Sequence, residues 1–356
     1  MKILIDIGHP GHVHLFKNFT FEMEKKGHDI FFTCREKEFE IELLERYGFK
    51  YKSFGKKFKT LIGKMFGLLK FDLQAIFTAL YFKPDIFMSH GSIYVAHASF
   101  LLRKPHVSFE DTFNMEQVKL YSPFTEVILI NNYKKIPLKS NNVITYDGYH
   151  ELAYLHPSRF SPNENIFSIL GLKKDQPYII IRFVSWNASH DVGQKGFSLE
   201  QKEKIIKELS KRIKLFISSE NELPDSLKSY KIKIPPERMH DALAFATLFI
   251  GEGATMATEC AMLGTPSIYI NSLEPPYIKE QEDYGLLFNY RKGDGILEKA
   301  LDLLKDNKLK GEFHKRRDKM LSEKIDLTAF TVWFVENYPK SLEITKRNPS
   351  YQERFR

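Results

Sequence analysis

Cysteine is scarce: Cys34 and Cys260 are the only two among 356 residues. Thiols so far apart in sequence build neither a disulfide framework nor a zinc site, and they suit a reducing compartment such as the cytoplasm. No apolar run approaches the roughly 20 residues that a membrane-spanning helix needs. The N-terminus, Met1-Lys2-Ile3-Leu4-Ile5-Asp6, lacks the long apolar core and cleavage site of a signal peptide. Internal repeats, low-complexity stretches, the Asp-x-Asp pattern of a metal-dependent sugar transferase and a G-x-G-x-x-G fingerprint are also missing. Present in excess are 30 Phe and a net charge of +8, on a chain that is 43% hydrophobic with mean hydropathy −0.34. That composition fits a globular protein long enough for two domains with a core each. Basic charge beside abundant Phe could meet nucleic acid, an anionic membrane surface or an anionic substrate.

Short apolar runs alternate with segments of helical period. Ile3–Ile7, Asp29–Thr33, Asp85–Ser89, His106–Phe109 and Glu126–Ile130 read as strands buried on both faces, the pattern of a parallel sheet. Val13–Lys26 between the first two has helical spacing and stops at Gly27. A polar stretch with two prolines, His156–Asn163, is the best linker. The alternation then restarts with strands at Tyr178–Phe183, Ile213–Ser218, Tyr230–Ile234, Leu248–Ile250 and Ser267–Ile270. Helices are expected at Leu199–Ile213, Ala254–Leu263, Ile296–Leu304 and Leu327–Tyr338. The fold class is therefore α/β, two Rossmann-like domains facing a central cleft. The expected division is 1–155, then 165–335, with a tail, 336–356, that can return to the N-terminal domain.

Several constellations sit at expected carboxyl ends of strands, where ligands of such sheets bind. The first is Gly8-His9-Pro10-Gly11-His12-Val13-His14, a glycine turn with three histidines. His12, or less favourably His9, is a candidate base; with no accompanying carboxylate or cysteine cluster, no metal site is expected. The second, Ser89-His90-Gly91-Ser92, is equally an ordinary turn between strand and helix. In the third, Phe109-Glu110-Asp111-Thr112, Glu110 or Asp111 can act as base or orient a histidine, and Asp111 can equally cap a helix. The fourth opens at Arg182 and Ser185 with small polar residues, suited to a phosphate or, on the plainer reading, to a salt bridge. The most specific runs from Gly251 to Pro266. There Gly253, Ala254, Thr255 and Met256 open a helix whose amides can hold a diphosphate, and Glu259 stands where a carboxylate can accept from ribose hydroxyls.

These residues resemble the GT-B glycosyltransferases, particularly the branch related to MurG. Gly8-His9-Pro10-Gly11-His12-Val13 resembles that branch's Gly-x-x-Gly-His-Val loop, and Phe109–Thr112 resembles its His-Glu-Gln-Asn strand end. Gly253–Glu259 with Gly264–Pro266 resembles its nucleotide-binding segment, and Gln281 in Glu280-Gln281-Glu282 falls where the branch has a polar cluster. The whole-chain pattern resembles the family called domain of unknown function 354. The UDP-N-acetylglucosamine 2-epimerases share the fold, but carry His-Gly-Asp where this chain has His90-Gly91-Ser92.

The resemblance implies an inverting, metal-independent glycosyltransferase with a nucleotide-sugar donor, a UDP-sugar, and a glycan or lipid-linked acceptor in surface polysaccharide or glycolipid synthesis. It implies no cofactor. A 2-epimerase and a non-catalytic nucleotide-sugar-binding protein are the alternatives. Nucleic acid is not expected as a partner, because no recognition motif is present. Phe54–Phe71 interleaves five lysines (Lys56, Lys57, Lys59, Lys64, Lys70) with apolar residues at helical spacing. It reads either as an ordinary amphipathic helix or as a patch for an anionic membrane surface, on which the protein would be peripheral.

Overall fold

The computed structural model describes residues 1–56, 58, 60–133, 138, 140–183, 199–219, 222–272 and 275–356, with backbone only at 61, 62, 64, 65 and 199. The chain forms two units, Met1–Arg159 with Lys324–Arg356, and Phe160–Glu323. The break lies inside the proline-bearing linker.

Unit 1 carries β1 (Lys2–Ile7), β2 (Asp29–Glu36), β3 (Tyr51–Lys56), β4 (Ile86–His90), β5 (His106–Glu110), β6 (Val127–Asn131) and β7 (Val143–Tyr146). They form one sheet in the order β3-β2-β1-β4-β5-β6-β7, every pair parallel. Ile3, Leu4, Ile5 and Ile7 of β1 are fully buried, as a central strand covered on both faces requires. Unit 2 carries β8 (Tyr178–Arg182), β9 (Lys214–Ser218), β10 (Leu248–Gly251), β11 (Ser267–Ile270) and β12 (Phe288–Tyr290), also parallel, in the order β12-β11-β10-β8-β9. Its core joins Ile179, Ile181, Ile217, Leu248, Ile250 and Ile268 of the strands to Ile205, Leu209 and Phe313 of the covering helices. Both sheets are Rossmann-like. Strand order reverses between β1 and β4 in unit 1 and between β8 and β10 in unit 2, which marks the crevice at each sheet's carboxyl edge.

The structure corrects four expectations. Tyr230–Ile234 is not a strand; Lys231 makes one isolated bridge to Ile217, and Ile232 donates to the Ile217 carbonyl at 2.9 Å before Pro235 and Pro236 end the pairing. The helix expected from Val13 starts at Pro10, because His9 caps it: the His9 Nδ1 accepts from the Gly11 amide at 3.0 Å. Phe54–Phe71 is not one helix: Phe54 belongs to β3 and is buried in the core, and the helix runs Leu61–Phe82. Finally, the second unit ends at Glu323 rather than 335. Leu327–Glu336 is a helix with Leu327, Phe330, Thr331, Phe334 and Val335 buried, and it packs on the helix Pro10–Lys25 of unit 1. Asp326 holds it there, accepting from the Arg159 Nε at 2.7 Å and from its own helix's Ala329 amide at 3.0 Å.

Gly251 closes β10 where no side chain fits. A Cβ there would lie 2.9 Å from the Arg182 carbonyl oxygen and 2.5 Å from the Phe249 ring. Gly251→Ala should lower stability by about 2 kcal/mol, read as a reduced midpoint in urea with an unchanged slope; an unaltered midpoint would refute this packing constraint.

Candidate functional site

In unit 1 the crevice begins with a buried ion pair. Asp6 in β1 accepts from the Thr33 hydroxyl at 2.7 Å and from Arg35 Nη1 at 2.9 Å, both in β2. Arg35 Nη2 donates to the Ile7 carbonyl at 3.2 Å. A Cβ on Gly8 would stand 2.7 Å from that Nη2, so the guanidinium occupies the space that makes residue 8 a glycine. The turn that follows is set by imidazoles. His9 caps the helix, and the Nδ1 of His12 accepts from the Gly8 amide at 3.2 Å. A neutral His12 therefore carries its proton on Nε2. Burial, then the nearby His90 and His9, hold its pKa well below the ordinary histidine value.

His12 stacks on His90 of β4, with ring centroids 4.4 Å apart. From there one carboxylate organises the site. Asp111, just past β5, meets His90 Nε2 with one oxygen and His150 Nδ1 with the other, each at 3.0 Å. His150 follows β7 and packs against the rings of Phe109 and His90. Burial opposes charge on Asp111, but His150 and His90 outweigh it and hold the carboxyl well below its usual range. Burial likewise opposes charge on His90, and Asp111 reverses the sign so that its pKa is raised. His150 Nδ1 donates to the Asp111 carboxylate, which sets the orientation of that ring. His150 Nε2 is buried without a partner among the described residues, as are the side-chain amide of Asn131 and the Tyr146 hydroxyl at the ends of β6 and β7. His150 thus has carboxylate-oriented Nδ1 and, in the neutral ring, an available lone pair on Nε2.

The adjacent carboxylate behaves differently. Glu110 is 2% exposed. One oxygen accepts from the Thr112 amide, the Thr112 hydroxyl and the Phe113 amide, each at 2.8 Å, and the other from the Tyr121 hydroxyl at 2.6 Å. Such a carboxylate holds the turn after β5, where Phe113 takes a left-handed φ of 50°. Among the described residues His90, Asp111 and His150 are the one group with donor atoms spaced for a metal, within 4.8 Å of one another. Their mutual hydrogen bonds already account for that spacing.

In unit 2 the helix Ala254–Leu263 starts at Gly253, which offers no side-chain cap, so the amides of Ala254, Thr255 and Met256 face out of its end. Arg182 at the end of β8 lies beside Gly253, its Nε 4.0 Å from where a Cβ would be, and Nη1 donates to the Ser218 hydroxyl at 2.8 Å. Glu259 is buried and meets His240 Nε2 at 3.0 Å, from the neighbouring helix Met239–Phe245. Gln281 is on the helix Pro276–Asp283, which packs beside Ala254–Leu263. It is fully buried with neither side-chain polar atom partnered among the described residues. Ser185 lies outside the described residues.

The structure therefore gathers His9, His12 and Asp111 on unit 1, and Arg182, Gly253 to Met256, Glu259 and Gln281 around one helix start on unit 2. Sequence reasoning missed His150 and His240. The Asp147-Gly148 turn before His150 was a usable signal, once Val143–Tyr146 is read as a strand.

A family model described as "Protein of unknown function (DUF354)" matches residues 1–338. No curated protein matches in sequence. Among solved structures, the chain is similar to S. aureus MnaA in a co-structure with UDP, at 13% identity and a TM-score of 0.70, covering 96% of this chain and 97% of that one. UDP-GlcNAc 2-epimerase from Neisseria meningitidis bound to UDP-GlcNAc matches at 13% identity and TM-score 0.65, covering 89% and 94%. The spinosyn rhamnosyltransferase SpnG, complexed with spinosyn aglycone, matches at 14% and 0.58, covering 95% and 100%. At these identities the likeness is one of fold, the GT-B fold.

The Asp111 bridge makes a signed prediction. His90 contributes stability in full below 6.5, lost as pH rises through its raised folded value; Asp111 contributes in full above 3.8, lost as pH falls through its lowered one. The stability difference between the protein and Asp111→Asn should be greatest between 3.8 and 6.5. By ring-nitrogen NMR, His90 in that variant should titrate lower than in the unaltered protein, since the largest influence opposing burial is gone while Glu110 still raises it; an unmoved His90 would break the assignment.

Proposed function

The chain belongs to the DUF354 family, and from that premise we propose that it is a glycosyltransferase, moving a sugar from a nucleoside-diphosphate donor, a UDP-sugar, to a hydroxyl acceptor. The observation that carries this reading is the Asp111–His150 pair, 3.0 Å apart with His150 Nε2 unpartnered among the described residues. A hydroxyl acceptor needs one positioned base. This arrangement supplies it, whereas His12 has its Nδ1 lone pair committed to the Gly8 amide. The acceptor hydroxyl gives its proton to His150 Nε2 as its oxygen bonds the anomeric carbon. The carbon–oxygen bond to the diphosphate breaks, and its electron pair leaves with the phosphate oxygen. Attack opposite the leaving group inverts the anomeric centre. Asp111 orients the base and stabilises the imidazolium; His90, on the other oxygen, keeps Asp111 ionised.

On unit 2 the amides of Ala254, Thr255 and Met256 take the diphosphate, with Arg182 beside them. Glu259, steadied by His240, accepts from the ribose hydroxyls, and Gln281 offers its unpaired amide to the base or ribose. The reaction is redox-neutral and calls for no cofactor. The acceptor class, a glycan or a lipid-linked sugar of surface polysaccharide or glycolipid synthesis, belongs to the same proposal.

A 2-epimerase is the rival reading, favoured by the UDP-GlcNAc 2-epimerase among the similar structures. Against it, Ser92 stands where those epimerases carry the aspartate of His-Gly-Asp, and Glu110 is saturated by hydrogen bonds.

Incubation with a panel of nucleotide sugars separates the two. Nucleoside diphosphate released only with acceptor supports transfer; isomerised donor without acceptor overturns it. His150→Ala should lower kcat by about 10²- to 10⁴-fold and leave the thermal shift with UDP intact; unchanged turnover rejects His150 as the base. Glu259→Ala should abolish the UDP shift, and a persisting shift rejects the nucleotide site.

A further inference from the structure

The helix Leu61–Phe82 has two unlike faces. Phe71, Ala75, Ala79 and Phe82 point into the unit 1 core with Leu4, Phe54, Phe87 and Val95. On the other side Phe66, Leu69, Leu73, Phe77, Leu80 and Tyr81 are 67%, 61%, 46%, 63%, 50% and 91% exposed. Their steps of three and four residues make a continuous stripe along one face, about 22 Å long at the α-helical rise. The helix Ile93–Leu101 packs alongside and ends in Phe100 and Leu101, 59% and 62% exposed. An outward face of a surface helix is ordinarily polar, and a contiguous apolar patch of this size marks an interaction surface.

Charge identifies the partner. Between 56 and 104 the chain has eight basic residues (Lys56, Lys57, Lys59, Lys64, Lys70, Lys83, Arg103, Lys104) against Asp72 and Asp85, a net +6 of the whole chain's +8. Both acids are engaged, Asp72 by His97 Nδ1 at 3.0 Å and Asp85 by the Lys2 amide at 2.8 Å and, at 4.0 Å, by Lys104 Nζ. Lys56, Lys70, Lys83, Arg103 and Lys104 are exposed. A second copy docked symmetrically on this face would set that positive excess against itself. No helix among the described residues is long and apolar enough to cross a membrane, so insertion would be shallow.

We propose that this face lies on an anionic lipid bilayer, with the stripe Phe66–Tyr81 and Phe100–Leu101 at the boundary of headgroups and acyl chains, and the exposed Lys70 and Lys83 of the same helix on lipid phosphates. The inference goes beyond the transfer reading and stands without it. It also relocates the patch expected at Phe54–Phe71: Phe54 and Phe71 are core residues, and the lipid face continues past them to Tyr81 and onto the next helix.

The test is co-sedimentation of the full chain with vesicles of phosphatidylcholine mixed with phosphatidylglycerol, or of phosphatidylcholine alone, at low and high salt. Binding should need the anionic lipid and weaken with salt. Phe66→Ser with Phe77→Ser, both at exposed positions, should lose binding at least tenfold while the melting temperature holds. Lys70→Glu with Lys83→Glu should lose about tenfold or more. The proposal falls if the unaltered protein stays in solution with anionic vesicles at low salt, if it binds phosphatidylcholine alone equally well, or if the variants bind as it does. It falls also if sedimentation shows a dimer that the Phe66/Phe77 variant dissociates, for the face is then a contact between copies. These readouts use no turnover, so their failure is separate from failure of the transferase reading.

Discussion

Every strand in both sheets is parallel, and that constraint places the chemistry. A parallel strand cannot turn back through a hairpin, so each is followed by a crossover, and every strand of a sheet ends at the same edge. The reversal of strand order then opens a crevice at that edge between β1 and β4, and between β8 and β10. The residues that stand out physically are those at these ends or within a few residues past them: His12, His90, Asp111 and His150 in unit 1, Arg182 and Gly253 in unit 2. Histidines separated by 60 residues or more in sequence share one carboxylate because the topology delivers them there.

Adjacent carboxylates in this crevice do opposite jobs, and hydrogen-bond count distinguishes them. Glu110 takes four bonds from its own turn and from Tyr121, which fixes it as part of the scaffold. Asp111 spends its oxygens on two imidazoles. Burial raises the energetic stakes for both, since an unpaired buried carboxylate is costly. In Glu110 that cost is met by fixed donors. In Asp111 it is met by two imidazoles, one on each oxygen, so the bridge ties His90 and His150 together. The fold thus holds a carboxylate locked into its own turn beside one that bridges two imidazoles.

The sequence made the central strands legible because they are apolar on both faces, and the helix Ala254–Leu263 because glycines bracket it. What it hid has a common cause. The strands it did not reveal, β3, β7 and β12, are all at sheet edges, where partial exposure mixes polar residues into the run and erases the buried-strand pattern. Missing β7 concealed His150, since a histidine is conspicuous only when the strand before it is recognised. The tail was misassigned at 327–335 because a helix with Phe330, Phe334 and Leu327 buried announces that it needs a partner and not which partner. Roles within the Gly8–His14 turn were also out of reach: composition flags three histidines, but which ring nitrogen accepts from which amide is decided by backbone geometry.

Abundant Phe and surplus positive charge, which looked like one feature in the composition, are two in the structure. Much of the Phe content is core: Phe16, Phe19, Phe32, Phe54, Phe71, Phe87 and Phe109 are essentially buried. A core of that kind says nothing about partners. What remains is the outward stripe on the helix Leu61–Phe82, and the net charge concentrates in the same stretch of chain. One helix therefore carries both uses of aromatic residues. Its inner face is needed for unit 1 to fold, so selection for folding alone would keep Phe71 and Phe82 but is indifferent to Phe66 and Phe77. Apolar side chains left in water on the second face forgo the burial free energy they would gain in a core, roughly 25 cal/mol per Å². An uncovered apolar face on a helix that also bears the exposed Lys70 and Lys83 is best explained by a partner that is apolar within and anionic at its surface.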